Sequence, residues 1–408
     1  MASKYRISNL HKSVRAAGWV SLFTDFSSDM IYPLLPLFLK SVLGASTGVI
    51  GLIEGLAETT ASLLKLSSGY LSDRFRRRKP LVLLGYTLSS LTRPLFAVAA
   101  ATWHVLAIRI VDRIGKGIRT SPRDAMVADF TPPEARGFAF GYQRAMDNAG
   151  AIVGPLIASA MLWWMGHHGS LSPAAQLRVV FALAAIPGLL VPFIIWRFIE
   201  DSPSLAAREA APARAAAAGS RDRLPKVYWF YLGAVLIFTL GNSSDAFLVL
   251  RANEAGIPEW EIPLLWAAFH CVKAGGAVWG GRLSDLWGRK STLFIGWAIY
   301  AASYVLFGFA AKAWQCWAIF LFYGLYYNCV EATERAVVAD LVPAGLRGTA
   351  YGIFHAVVGI AALPASVMFG LVWKWAGHPL PPFLMGAGLA VGAAVALAFI
   401  RFPSRSGA

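Results

Sequence analysis

Residues 69–79 read Gly-Tyr-Leu-Ser-Asp-Arg-Phe-Arg-Arg-Arg-Lys, and residues 281–290 read Gly-Arg-Leu-Ser-Asp-Leu-Trp-Gly-Arg-Lys. The shared Gly-x-Leu-Ser-Asp returns at an offset of 212. Two further blocks behave alike. Ala128-Asp129…Arg136-Gly137…Gly141 returns as Ala339-Asp340…Arg347-Gly348…Gly352, and Ser27-Ser28-Asp29 returns as Ser243-Ser244-Asp245, at offsets of 211 and 216. One repeated tripeptide is chance, but three collinear blocks are a duplicated chain.

Composition says what was duplicated. Of 408 residues, 57% are hydrophobic and 14% charged, against about 25% charged in a soluble domain. The net charge of +15 suggests a nucleic-acid binder at first sight, but such proteins are charge-rich, and this chain is charge-poor with 15 Trp and 25 Phe. A polytopic membrane protein fits. A soluble enzyme, a disordered chain and a disulfide scaffold do not. Cys271, Cys316 and Cys329 lie in apolar stretches without metal-ligand spacing and read as reduced core residues.

A spanning helix needs about 20 mostly apolar residues. Twelve stretches qualify, at about 17–39, 47–72, 80–101, 103–122, 138–164, 178–198, 227–250, 261–284, 291–311, 314–338, 347–375 and 381–401. The expected fold is therefore an all-α membrane protein of 12 transmembrane helices in two pseudo-symmetric six-helix bundles. Residues 1–199 form the first bundle, 200–226 an Ala-, Pro- and Arg-rich cytoplasmic linker, and 227–408 the second. A same-sense repeat requires an even number of helices per half, which six satisfies. Lys and Arg crowd the N-terminus, the 2–3, 4–5, 8–9 and 10–11 loops, the linker and the tail. By the positive-inside rule both termini are cytoplasmic, in a bacterial-type inner (plasma) membrane. Trp163, Trp164, Trp373 and Trp375 read as an outer aromatic belt.

With these features the sequence resembles the major facilitator superfamily of secondary transporters. The resemblance rests on the 2–3 loop, which in that family reads G-x-L-x-D-R-x-G-R-[RK]. Gly69, Leu71, Asp73, Arg74, Arg77 and Arg78 match, with Arg76 in place of a Gly. The second half keeps Gly281, Leu283, Asp285, Gly288, Arg289 and Lys290, with Leu286 in place of the first Arg. Gly150-x-x-x-Gly154-Pro155 in span 5 is similar to the stretch associated with the antiporter branch. Arg109 in span 4 stands where the family often embeds an Arg, but Asp112-Arg113-Ile114-Gly115-Lys116-Gly117 departs from the usual continuation. The resemblance implies a cytoplasmic gate at Gly69, Asp73, Arg74, Arg77, Gly281, Asp285 and Arg289, and a central cavity lined by spans 1, 4, 7 and 10.

Ionisable residues within the spans cost several kcal/mol each unless paired or hydrated, so they mark the working interior. Asp25 and Asp29 share one face of span 1, and Glu54 and Glu58 one face of span 2. The candidate solute-binding residues are Asp25, Asp29, Arg113, Arg144, Asp147, Asp245, His270, Lys273 and Glu331. Asp29, Glu54 and Glu58 are the candidates for proton coupling. No residues are spaced as metal ligands, and no nucleophile elbow or phosphate loop is present, so an enzyme or a nucleotide-driven pump is not expected.

The expected function is secondary active transport of a small polar, charged or amphiphilic solute by alternating access, as proton-coupled efflux. The alternative is an importer of a metal ion, a siderophore-like metal chelate or an organic anion. A lipid flippase fits the charged interior poorly. The expected partners are the solute and the lipid bilayer, with no nucleic acid. The protein is expected to act as a monomer, without cofactor, driven by a proton gradient.

Overall fold

The computed structural model describes residues 7–75, 78–132, 135–201, 224–343, 346–400 and 402. Among them there are helices and no strands. The long helices are α1 (Lys12–Ile31), α2 (Thr47–Phe75), α3 (Lys79–Thr92), α4 (Thr102–Asp129), α5 (Arg136–His168) and α6 (Pro173–Phe198) in the first half. The second half holds α7 in two pieces, α7a (Lys226–Gly241) and α7b (Ala246–Glu254), then α8 (Ile262–Leu286), α9 (Arg289–Phe309), α10 (Ala313–Leu341), α11 (Arg347–Ala376) and α12 (Leu380–Phe399). They follow the twelve expected spans, with four departures, the first being span 3, where α3 ends at Thr92 ahead of Pro94 and a short helix Leu95–Val98 carries the chain on.

Span 1 does not run unbroken to residue 39. Pro33 and Pro36 remove backbone donors, so α1 stops at Ile31, and a short helix Leu35–Leu37 and a π-turn Phe38–Val42 carry the chain on. Span 4 is longer than its apolar stretch and runs to Asp129 through Pro122. Span 7 is interrupted at residues 242–245, although its composition is continuously apolar before and after.

Among the described residues, seven helical segments are long and apolar enough to cross a membrane by composition alone: Lys79–Val98, Phe138–His168, Pro173–Phe198, Lys226–Glu254, Arg289–Phe309, Thr349–Ala376 and Leu380–Phe399. The other five, α1, α2, α4, α8 and α10, carry most of the intramembrane ionisable residues. Charge is thus concentrated on few helices, which is economical if those helices are the ones shielded from lipid.

The chain divides into two compact units. The first comprises Met1–Ala45, Leu56–Ala211 and Ile257–His270; the second comprises Ser46–Gly55, Pro212–Gly256 and Cys271–Ala408. Small residues set the spacing within each. In the first, a Cβ on Gly150 or Gly154 of α5 would collide with the α1 backbone at Leu22 and Phe26. In the second, Gly241 and Gly386 leave room for each other's carbonyls. Apolar Val14, Val20, Tyr86, Met126, Val191 and Ile195 fill the first unit's core. Trp163, Trp164 and Trp375 are exposed, as a belt requires, but Trp373 is buried against Phe247, Phe369 and Phe383. Cys316 and Cys329 are buried, whereas Cys271 is exposed and is not a core residue.

The helix ends beside the basic loops are tied by charge. Asp201 Oδ1 accepts from the backbone N–H groups of Arg78 and Lys79 at 3.2 Å each, capping α3. Lys79 Nζ donates to the Trp196 carbonyl at the end of α6 (3.0 Å), and its repeat partner Lys290 donates to the Ala398 and Ile400 carbonyls at the end of α12 (2.8 and 2.9 Å). Glu200 pairs with Lys12 and His11, and the Lys12 ammonium holds its carboxyl below the usual range.

Two outcomes follow from this packing. Gly154→Leu should lower the apparent unfolding temperature of the purified protein, at a cost of about 1–3 kcal/mol for forced overpacking, and an unchanged melting curve would remove the close α1–α5 approach. Glu259, in the loop between α7b and α8, is half-buried, and burial raises its carboxyl above the usual range despite a hydrogen bond with Ser41. A raised folded-state value means that Glu259 lowers stability as pH climbs through the interval between its unfolded and folded values. Glu259→Gln should therefore raise the unfolding temperature at neutral pH and have no such effect in acid.

Candidate solute-binding site

In the first unit, α4 carries Arg109, Arg113 and Lys116 at i, i+4 and i+7, a single stripe of the helix. Arg109 and Arg113 are buried. The Arg109 guanidinium lies 5.4 Å from the ring centroid of Tyr32, and that ring lies 5.3 Å from the Trp266 ring. The Trp266 indole N–H donates to Asp29 Oδ1 at 3.3 Å. A cation, two aromatic rings and a carboxylate are thereby linked in one run. Rings of this kind screen a buried cation without neutralising it.

The carboxylates fall into two groups. Glu58 of α2 faces Arg113, Lys116, Lys65 and Arg109 within Coulombic reach. Asp25 faces Asp147 and Asp29, with Lys116 and Arg123 as the nearby cations. Asp147 arrives there because Gly150, one turn on, lets α5 lie against α1 beside Asp25. Arg93 is buried against Ser27 and Gly188, and Arg119 donates to Ser89 Oγ with its guanidinium 4.3 Å from the Tyr86 ring centroid. Lys65, Arg93, Arg109, Arg113, Lys116, Arg119 and Arg123 stand against Asp25, Asp29, Glu58, Asp112, Asp124, Asp129 and Asp147, so the interior is balanced in formal charge while its cations are concentrated along α4.

The second unit solves the same problem with hydroxyls. Asp245 sits where α7b begins, and its two oxygens accept from Tyr323 (2.8 Å) and Tyr327 (3.0 Å) of α10. Lys273 of α8 lies 3.9 Å from the Tyr327 ring centroid. The rest of the interruption is held as firmly. Tyr300 donates to the Gly241 carbonyl at 2.8 Å, Asn242 donates to Tyr326 at 3.4 Å, Ser243 Oγ bonds Tyr304 at 3.1 Å, and the Ser244 N–H donates to Ser366 Oγ at 3.3 Å. These bonds replace helical ones and satisfy the backbone polar groups that a break would otherwise leave in an apolar medium.

Of the residues expected to bind solute, Asp25, Asp29, Arg113 and Asp147 lie in the first unit's charged cluster, and His270 packs beside Trp266. Asp245 and Lys273 share the Tyr327 ring in the second unit. Arg144 is exposed on α5, and Glu331 is engaged by Arg335 one turn along α10, at 3.4 Å. Glu54 and Glu58 fall on opposite sides of the unit boundary at Gly55, with Glu54 buried. Gly150 and Gly154 have a packing role against α1, and Pro155 lies within α5.

Of the expected gate, Arg77 lies outside the described residues, and so do the side chains at Gly69, Asp73, Arg74, Gly281 and Asp285. Arg289 is described, and its guanidinium donates to Asp340 (3.2 Å) and to Ser284 Oγ (2.8 Å). The first half holds the equivalent pair, Arg78 with Asp129 at 2.8 Å. Asp129 and Asp340 were overlooked as partners of the basic loops, although the offset of 211 relates both members of the two pairs. The tyrosines around Asp245 carried no sequence signal, because aromatic residues in an apolar span read as core.

The two ion pairs differ in burial, so Asp129→Asn, which removes the charge opposite an Arg78 side chain exposed by only 7%, should cost about 1–3 kcal/mol of stability. Asp340→Asn, at a pair whose acid is 42% exposed, should cost under about 1 kcal/mol. Equal losses in thermal unfolding would contradict that difference.

The sequence profile of the Major Facilitator Superfamily matches residues 17–366 and 230–408. An uncharacterized MFS-type transporter of Methanocaldococcus jannaschii is 34% identical over 397 residues, covering 96% of this chain and 95% of the relative. The hexuronate transporter of Bacillus subtilis is 25% identical over 389 residues, covering 90% and 88%. Among solved structures, that of a D-xylose–proton symporter superposes with a TM-score of 0.75 over 96% of this chain and 98% of its own, at 17% identity, which speaks to the fold.

Proposed function

The chain belongs to the Major Facilitator Superfamily, and on that premise we propose that this multi-pass transporter is a proton-coupled symporter of small organic anions working by alternating access. The observation that supports the reading is the Arg109–Arg113–Lys116 stripe of α4 with Lys65 and Glu58 set against it. A guanidinium takes a carboxylate through paired, charge-assisted hydrogen bonds. Glu58 already stands within Coulombic reach of these cations, so an incoming anion competes with an internal one. A proton that neutralises a carboxylate of the cluster releases cations for the solute, and proton and anion then travel together. Competition between a solute cation and a proton would instead give exchange.

This reading takes the organic-anion alternative rather than efflux. Export was inferred from the α5 glycines, and close packing on α1 already accounts for them. That a relative is named a hexuronate transporter agrees with a hydroxylated carboxylate as solute. Asp29, tied to Trp266 and grouped with Asp25 and Asp147, is the coupling residue we favour among Asp29, Glu54 and Glu58. The protein would act as a monomer without cofactor, its termini on the cytoplasmic side.

The test is flux in proteoliposomes with labelled glucuronate, benzoate and tetraphenylphosphonium. An inward proton gradient should accelerate uptake of one or both anions, a protonophore should abolish the acceleration, and Arg113→Gln should reduce uptake at least about tenfold, as loss of a charge-assisted pair implies. Asp29→Asn should leave the protein folded but blind to the gradient. Transport of the organic cation alone, or anion uptake indifferent to pH, would overturn the reading.

A further inference from the structure

The tripeptide Ser-Ser-Asp occurs twice at equivalent places, and its two copies fold differently. Ser27-Ser28-Asp29 lies inside the continuous helix α1, with Ser27 Oγ donating to the Ala184 carbonyl. Ser243-Ser244-Asp245 lies in the interruption of α7, bound at every residue by hydroxyls. Satisfying the backbone does not require this many tyrosines, and it does not require an acid at Asp245. An Asn there would meet the same hydroxyls without a buried charge.

We propose that Asp245 is a second proton-carrying residue of the transport cycle, and that the interruption between α7a and α7b is the element its proton moves. The proposal rests on the proton-coupled reading above for its place in the cycle, and on the local geometry for its chemistry. An ionised carboxylate only accepts hydrogen bonds. Here each Asp245 oxygen takes one, from Tyr323 and from Tyr327. When a proton from water binds one oxygen, that oxygen becomes a donor, and one tyrosine must surrender its donation. The displaced hydroxyl has a partner in place, because Tyr323 Oη and Tyr327 Oη are 3.5 Å apart. The same groups thus support two hydrogen-bond patterns, one for each protonation state.

The proton also acts on the backbone. Asp245 stands at the N-terminal boundary of α7b, where the helix dipole favours a negative charge. Protonation removes that attraction. In an unbroken helix the Gly241 carbonyl would accept from the Asp245 N–H. Here it accepts from Tyr300 and from the Ser243 N–H (3.2 Å) instead, so the interruption and the closed helix compete for one acceptor. The charged groups facing Asp245 are Lys273 of α8 and Glu54 of α2, of opposite sign. The titratable hydroxyls around it are Tyr323, Tyr326 and Tyr327 of α10 and Tyr300 and Tyr304 of α9. From α11 comes Ser366, which does not titrate.

The test needs no solute. The full-length protein in lipid nanodiscs is followed by hydrogen–deuterium exchange over residues 241–248 across an acid-to-alkaline series, corrected for intrinsic exchange chemistry. Infrared difference spectra of the carboxyl stretch are recorded over the same series. In the wild type, exchange in this segment should change about tenfold across the titration, the size expected for one charge-assisted hydrogen bond, together with a titrating carboxyl band. Asp245→Asn should abolish both responses. Tyr327→Phe, which leaves the charge in place and keeps the fold if the asparagine variant does not, should shift the band and the midpoint. Asp245→Glu should restore a titrating band. PH-independent exchange in the wild type, or a full response in Asp245→Asn, would overturn the proposal. Because no solute is present, failure of anion uptake in the flux assay leaves this result standing, and a flat exchange profile leaves the Arg113 reading untouched.

Discussion

An ion in hydrocarbon costs several kcal/mol unless something nearby replaces its water, and the rest of this architecture answers to that cost. The helices that fail to read as simple membrane spans, α1, α2, α4, α8 and α10, carry most of the charge. Two solutions coexist. In the first unit, charges answer charges: Glu58 among four cations, Asp25 and Asp29 beside Asp147 with Lys116 and Arg123. In the second unit one carboxylate, Asp245, is answered by tyrosine hydroxyls and a lysine resting on an aromatic ring. The first solution leaves a cationic stripe suited to an anionic solute. The second leaves a carboxylate held by two phenol hydroxyls at a break in its helix.

Both depend on close backbone approach. Gly150 and Gly154 bring α5 onto α1 and carry Asp147 to Asp25, while Gly241 and Gly386 let α7a meet α12 beside the point where α7 opens. Packing of small residues is the means by which helices associate where no hydrophobic effect drives them together. The glycines that resemble an antiporter signature therefore have a structural explanation, and transport direction has to be sought in the charges.

The pseudo-symmetry is tightest at the basic loops and loosest in the interior. Arg78 with Asp129 matches Arg289 with Asp340, and Lys79 on the end of α6 matches Lys290 on the end of α12. These pairs cap and fasten helices, a task identical in both halves. Asp29 and Asp245 began as the same residue in the same tripeptide, yet one is held by an indole within a straight helix and the other by two phenols at a break. Duplication left the fasteners alike while the interior sites diverged.

The sequence by itself determined the membrane class, the twelve helices, the two-half repeat and the family, because hydropathy and repetition are local and additive along a chain. It also pointed to the charged residues of the interior, since an ion in an apolar span is conspicuous. Which of them meet was decided only by the tertiary structure. Glu331 met Arg335 within its own helix, Arg144 was exposed on α5, Trp373 was buried and Cys271 was exposed. The interruption of α7 was invisible for the same reason: residues 242–245 contain no proline, and what holds them open is a set of hydroxyls from three other helices. Periodicity records which face of a helix is apolar, whereas a hydrogen bond between distant residues exists only once packing has brought donor and acceptor within 3 Å or so of each other.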